Sequence, residues 1–319
     1  MTNLIFDLNN IAYRSLFIIS GYGSKMYTFE NDVEIQQLIR KIAIDVSYII
    51  RLINPSRVIF ALDSKSWRKD INIDENEGYK GNRIKSKVIN WNNVYSALDE
   101  FAELMQNYGM IVSKIENAEA DDVITLWSHE LQYKQNQHVI IVSGDEDIRQ
   151  LVGCNNYDNN KYAFSVVYNP FMQGKNSSRK FYVSEQFNQW INTIDVVDLF
   201  NMRGSINVDK EDFKKIINAE KTKMEVVDGR MIALRKIFCG DDSDNVPAIY
   251  SWISKNKDGE EEKKRITNSK FEKIYEILSN TNQNFSYIDL KGKQVLEALK
   301  TTTKQNPTFN IDNRIDRQI

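Results

Sequence analysis

The chemical interest of this 319-residue chain lies in nine carboxylates: Asp7, Asp63, Glu119, Asp121, Asp122, Asp145, Asp147, Asp241 and Asp244. Asp7 follows the apolar run Leu4-Ile5-Phe6. Asp63 follows Val58 to Leu62, and Asp145 and Asp147 follow Val139 to Val142 through Ser143-Gly144. Two denser acidic groups are Glu119-Ala120-Asp121-Asp122 and Gly240-Asp241-Asp242-Ser243-Asp244-Asn245. Gathered in one place, so many acids would raise each other's pKa and destabilise the fold. Hard divalent cations remove that conflict: Mg2+, or Mn2+ in its place, takes oxygen ligands and needs neither His nor Cys. Two such ions can flank a phosphodiester, one lowering the pKa of an attacking water and the other steadying the leaving oxygen. Taken singly, each acid has a plainer reading. An Asp after a strand is commonly a helix cap or turn residue, and acids at 119–122 suit a helix dipole. The conjunction is what points to chemistry.

These acids need elements that bring them together. Leu4-Ile5-Phe6, 58–62, 110–112 and 139–142 read as strands, the first extending over 3–8. Residues 31–53, 91–108 and 119–134 read as helices. The first is ended by Asn54-Pro55 and the second by Gly109. Continuous apolar strands alternating with helices imply an α/β fold with a central, mostly parallel sheet flanked by helices. The carboxyl ends of such strands open at one edge, where ligands bind. Residues 64–89 are polar and too long for an ordinary connection, which marks a functional segment. Beyond about residue 153 the texture changes, with β-like pieces at 162–168 and 180–183. A polar, helical stretch follows from 184, with a mixed-charge loop at 255–265 and a flexible tail at 301–319. The expected domains are therefore a core over 1–183 that includes 64–89, a helical lobe over 184–300 that contributes Asp241 and Asp244, and the tail.

Composition excludes several alternatives. A formal net charge of −2 means that any phosphate-binding surface is a local patch. Cys154 and Cys239 lie in no metal-binding spacing and read as reduced thiols of a cytoplasmic protein. His129 and His138 read as surface or packing residues. Asp7 and Arg14 interrupt the apolar N-terminal stretch, which fits neither a signal peptide nor a membrane span.

Six motifs now fall in a recognisable order: Phe6-Asp7, Asp63 to Asp70, Tyr79-Lys80-Gly81-Asn82-Arg83, Glu119 to Asp122, Ser143 to Asp147 and Gly240 to Pro247. Together they resemble the phage 5′ to 3′ exonuclease and flap endonuclease family, and within it the ribonuclease H of T-even phages. The resemblance implies a PIN-like 5′-nuclease core with a helical arch at 64–89 and a smaller helical C-terminal lobe. It implies two Mg2+ ions. Asp7, Asp63, Glu119, Asp121, Asp122 and Asp145 match the ligands or water shell of the first, and Asp147, Asp241 and Asp244 those of the second. Lys80 and Arg83 match basic residues that face the scissile phosphate and offset its developing charge. Tyr79 would stack on an unpaired base, and Arg68 and Lys69 are further substrate-binding candidates. The implied substrates are DNA and RNA–DNA hybrid, attacked from 5′ ends or flaps by a monomer during replication. A single-strand-binding protein or sliding clamp is the implied partner. One departure is clear: Pro247-Ala248-Ile249-Tyr250-Ser251-Trp252 replaces the glycine-rich helix-two-turn-helix of many members.

Three rivals share some of these features. A haloacid-dehalogenase-type phosphatase needs an Asp two residues after its nucleophile, where this chain has Asn9. A nucleic-acid-binding module without catalysis would have lost key acids, and none is missing. A PIN-type ribonuclease would lack the 64–89 insertion and the later Gly-Asp motif.

Overall fold

Burial of apolar strands on both faces drives the architecture. Residues Thr2–Asp7 (β1) are buried along their whole length, as a strand covered on both sides must be. Leu4 and Phe6 face one apolar cluster and Ile5 the other, following the two-residue alternation of a strand. The structure is a computed structural model. It describes residues 2–20, 27–70, 79–81, 86, 88–158, 161–171, 178–193, 208–219, 221–244, 246, 248, 251–255 and 259–281. The chain divides into two compact units, Met1–Trp67 with Lys85–Gly229, and Arg68–Ile84 with Arg230–Ile319.

In the first unit β1 leads straight into helix α1 (Leu8–Ile19), then α2 (Asp32–Ile53), β2 (Arg57–Leu62), α3 (Trp91–Asn107), β3 (Ile111–Lys114), α4 (Ala120–His129) and β4 (His138–Val142). Strands β5 (Gly153–Asp158), β6 (Lys161–Asn169) and β7 (Arg179–Val183) follow, then α5 (Glu185–Asn192), α6 (Val208–Ile217) and β8 (Thr222–Val226). The sheet order is β3-β2-β1-β4-β6-β7-β8, with β5 paired to β6. Pairing is parallel except for β5 with β6 and β6 with β7, so the expected mostly parallel sheet is present. The sheet continues past residue 183 because β8 pairs with β7, and Phe213 and Ile216 of α6 join the core.

The register decides which chain segments meet. Asp7 lies opposite Ala61 of β2, and Phe6 opposite Val142 of β4. The chain goes from β1 to β2 on one side and returns to β4 on the other. The β1/β4 boundary is thus a topological switch point, where α/β sheets open a crevice.

Local signals explain most boundaries. Asn31 caps α2 through a bond from the Glu34 N–H, and Asn54 ends it in a left-handed conformation before Pro55. Gly109, at φ +83°, follows α3. The expected helix at 119–134 is α-helical to His129 and closes with a wider π turn over Glu130–Lys134. Helix α1 was not expected from the sequence, where 3–8 reads as strand; it buries Leu8, Ile11, Ala12, Ser15 and Leu16. His138 is a packing residue, stacked on Phe164 and set edge-on to Phe213.

The second unit contains helix α7 (Gly229–Cys239) from Arg230 onward, strands β9 (Ser251–Lys255) and β10 (Glu261–Arg265), and α8 (Asn268–Thr281). Phe238 and Phe271 pack their rings against each other, centroids 5.6 Å apart. The segment expected as a mixed-charge loop at 255–265 is instead largely an antiparallel hairpin, with Lys255 opposite Glu261. Its charges hide the strand signal, because backbone pairing needs no apolar alternation. Arg83, half of 64–89 and the 301–319 tail lie outside the described residues. Among the described residues no helix is long and apolar enough to cross a membrane.

Candidate active site

Asp7 sits at the point where β1 becomes α1 and serves both elements. One carboxylate oxygen, Oδ1, accepts from the Asn10 N–H at 3.0 Å and so caps α1. The other, Oδ2, accepts from the Ser143 hydroxyl at 2.8 Å, at the end of β4. The carboxyl is buried. Burial pushes its pKa up to about 7 from 3.8. The bonds from Asn10 and Ser143 pull the other way, and the charges of Asp63 and Asp145 add to the rise. An isolated cap would feel no such neighbours; these three strand ends converge.

Two arms of hydrogen bonds spread from this corner. On the β2 side, the Asp63 N–H donates to Asn9 Oδ1 at 3.0 Å. Asp63 Oδ1 in turn accepts from Ala120 N–H at 2.7 Å, the first residue of α4. The helix dipole favours a carboxylate there. At the same helix start the Glu119 N–H donates to Asp122 Oδ2 at 3.0 Å, so Asp122 spends one oxygen as a capping group. Asp121 is half-buried in the first turn. On the β4 side, the Gly144 N–H donates to Asn10 Oδ1 at 2.8 Å. The Asp145 N–H donates to Ser143 Oγ at 3.0 Å, and the Asp147 N–H to Asp145 Oδ1 at 2.9 Å. A side chain at Gly144 would lie 3.1 Å from Asn10 Oδ1 and 3.5 Å from Arg14 Nε, so glycine lets this loop close on α1.

The second unit holds the remaining candidates. Gly240 ends α7 at φ +74°, with its N–H on the Lys236 carbonyl at 2.9 Å, a left-handed stop that glycine adopts without strain. Asp241 and Val246 then bond each other's backbone in both directions at 2.8 Å, which closes the loop. Asp241 Oδ1 accepts from the Ser243 N–H and hydroxyl, and Oδ2 takes the Lys236 ammonium at 2.6 Å. Partial burial raises the Asp241 carboxyl, but Lys236 and Ser243 outweigh it and hold it at about 2. Asp244 is buried, with a carboxylate oxygen within 4.8 Å of one from Asp241. The Tyr79 hydroxyl donates to Asp244 Oδ2 at 3.2 Å, and the Lys80 ammonium stands 4.0 Å from the same oxygen. Lys80 and Arg68 both face the Tyr79 ring, at 4.9 and 5.9 Å from its centroid. Lys69 is exposed.

Sequence reasoning missed Asn9, Asn10 and Ser143 as parts of this arrangement. The available signal was two consecutive amides, one residue beyond an acid that ends a strand. The cysteines take no part. Burial pushes the Cys154 thiol up to about 11 and raises that of Cys239 as well, so neither is a ready nucleophile.

Together the sheet and the carboxylates at its edge define an α/β protein with an acidic site at the carboxyl ends of its strands. A buried carboxyl held up to about 7 by its surroundings and two acidic neighbours fits a hard divalent cation. Residues 2–187 match the family model for the 5′–3′ exonuclease, N-terminal resolvase-like domain, and the chain belongs to that family of phosphodiester hydrolases. Among solved structures it is similar to a flap endonuclease of bacteriophage T5, in a pseudo-enzyme–product complex with DNA and metal ions. Identity is 14%, coverage is 95% of this chain and 85% of that one, and the TM-score is 0.50. It is also similar to the T5 5′-exonuclease with bound zinc, at 16% identity, with 78% of this chain and 70% of that one covered and a TM-score of 0.46. No curated protein matches the chain.

Proposed function

We propose that this protein is a Mg2+-dependent 5′ to 3′ exonuclease and flap endonuclease with ribonuclease H activity, removing RNA primers or 5′ flaps during DNA replication. The observation that carries the reading is the convergence of Asp7, Asp63 and Asp145 at three adjacent strand ends, close enough for the latter two to raise the Asp7 pKa. In this reading Asp7, Asp63, Glu119, Asp121, Asp122 and Asp145 serve one ion and its water shell, and Asp147, Asp241 and Asp244 serve a second. When bound, the ions supply an activated water and charge neutralisation at the phosphate. Mn2+ can replace Mg2+ because the donors are all oxygen.

The protein's own residues orient and neutralise. Ser143 and the Asn10 N–H hold the two oxygens of Asp7, and Ala120 holds one oxygen of Asp63. Lys80 and Arg83 neutralise charge on the phosphoryl oxygens. Tyr79, with Arg68 and Lys69, engages the unpaired strand. The T5 enzyme's complex with DNA supports a nucleic-acid substrate. We extend this to RNA–DNA hybrid, to a monomer at work in the cytoplasm, and to a single-strand-binding protein or clamp as replication partner.

The test is substrate profiling. Labelled 5′ flaps, duplex DNA and RNA–DNA hybrids incubated with Mg2+ should release short 5′ fragments, and Asp145→Asn should abolish release while keeping affinity. Intact oligonucleotides, with rapid hydrolysis of a small phosphomonoester, would favour a phosphatase. Binding without cleavage would favour a silent module. Asn9 argues against the phosphatase, because its side chain is engaged by the Asp63 N–H where a general acid would have to stand.

A further inference from the structure

The β1–β2 ladder ends at the pair Asp7 and Ala61, because the chain turns into α1 at Leu8. The strand β2 does not stop there. On its other side Leu62 still pairs with Lys114, and the Ser64 N–H donates to the Ala118 carbonyl at 2.9 Å. The alternation of a strand then aims the Asp63 N–H at β1, where no further strand carbonyl exists. Asn9 Oδ1 stands in that place, 3.0 Å from the Asp63 nitrogen, and Asn9 is buried. The same happens on the opposite side. The β1–β4 ladder ends at Phe6 and Val142, and Asn10 Oδ1 accepts from the Gly144 N–H at 2.8 Å. Two consecutive side-chain amides thus extend β1 by one rung towards each neighbour, at the height where the acids emerge. An amide suits the role because it accepts a bond without adding another negative charge beside Asp7, Asp63 and Asp145.

We propose that Asn9 is a positioning residue for divalent-cation binding: its amide oxygen fixes the main chain of Asp63 relative to Asp7, and the edge holds a cation more weakly without it. This rests on the reading of that edge as a metal site. Residues that orient ligands typically change metal affinity by about 10- to 100-fold when removed.

The experiment is Mn2+ binding to the full chain, followed by isothermal titration and electron paramagnetic resonance, with unfolding midpoints measured in EDTA. Asn9→Ala should bind Mn2+ about 10- to 100-fold more weakly than wild type. Asn9→Asp keeps an acceptor oxygen and should bind at least as tightly as wild type. Equal affinity of Asn9→Ala and wild type would overturn the proposal, and so would an equal loss in Asn9→Ala and Asn9→Asp. If Asn9→Ala does not fold, Asn9→Ser carries the same comparison with a hydroxyl too short to reach Asp63. A wild-type chain that binds no Mn2+ at all would instead bring down the metal site, and this inference with it.

Discussion

Replacing Asp7 by Asn should stabilise the metal-free protein at neutral and alkaline pH, although it removes an acid from the site. The folded-state pKa of Asp7, about 7, lies above its ordinary value of 3.8, chiefly because the carboxyl is buried. Between those two values the folded chain keeps a proton that the unfolded chain has released. Stability therefore falls as pH rises through that window and stays low above it. A rise of about 3 units at about 1.4 kcal/mol per unit sets a ceiling of about 4 kcal/mol. Asn cannot ionise, so the slope disappears in the variant. It gives back roughly 1 to 2 kcal/mol through poorer bonds to Asn10 and Ser143. The net gain above about pH 8 should be roughly 2 to 3 kcal/mol. The assay is urea unfolding of both proteins in EDTA at several pH values. The advantage of Asp7→Asn should widen by up to about 3 kcal/mol between about pH 5 and pH 8. Saturating Mg2+ should shrink or reverse it, because a ligand held only by the native wild type stabilises that protein alone. A difference between the two proteins that does not change with pH in EDTA would refute burial of an ionisable Asp7 as the source of strain.

Other substitutions probe the supports of the site. Ser143→Ala removes the hydroxyl that donates to Asp7 at 2.8 Å and accepts from the Asp145 N–H at 3.0 Å. It should cost roughly 2 to 4 kcal/mol in chemical denaturation, with weaker Mg2+ activation. Gly229→Ala would place a Cβ 2.5 Å from both the Gln150 and Val152 carbonyl oxygens. Backbone atoms cannot yield as a flexible side chain does, so a loss of about 1 to 3 kcal/mol is expected in the same measurement. Lys80→Ala should slow turnover on a 5′ flap by roughly 10- to 1000-fold in single-turnover kinetics, about 1.4 to 4 kcal/mol of transition-state stabilisation, with little change in affinity.

Much of the acidic edge is legible in the sequence because the signals are local. An apolar run ended by Asp identifies a strand and its carboxyl end in one reading, as at Phe6-Asp7 and Leu62-Asp63. Asn54-Pro55 and Gly109 mark helix ends through backbone conformations that most residues avoid. A cap and a site residue look identical at this level, and at Asp7 a cap bond does not use up the carboxylate. One of its oxygens caps α1 and the other faces β4.

Strand order is different in kind. Nothing local in Val139 to Val142 says that it lies beside β1, away from β2 and β3, yet that adjacency puts Ser143 on Asp7 and forms the switch point. Pairing joins residues more than a hundred positions apart, and only the simultaneous burial of both sheet faces selects among the possible orders. The hairpin at 251–265 escaped for a related reason: backbone bonds between its strands stabilise it without any apolar pattern. Asn9 and Asn10 are the clearest case. As sequence they are two polar residues after an acid; once the sheet is assembled they stand where strand carbonyls run out, and only that position gives them a task.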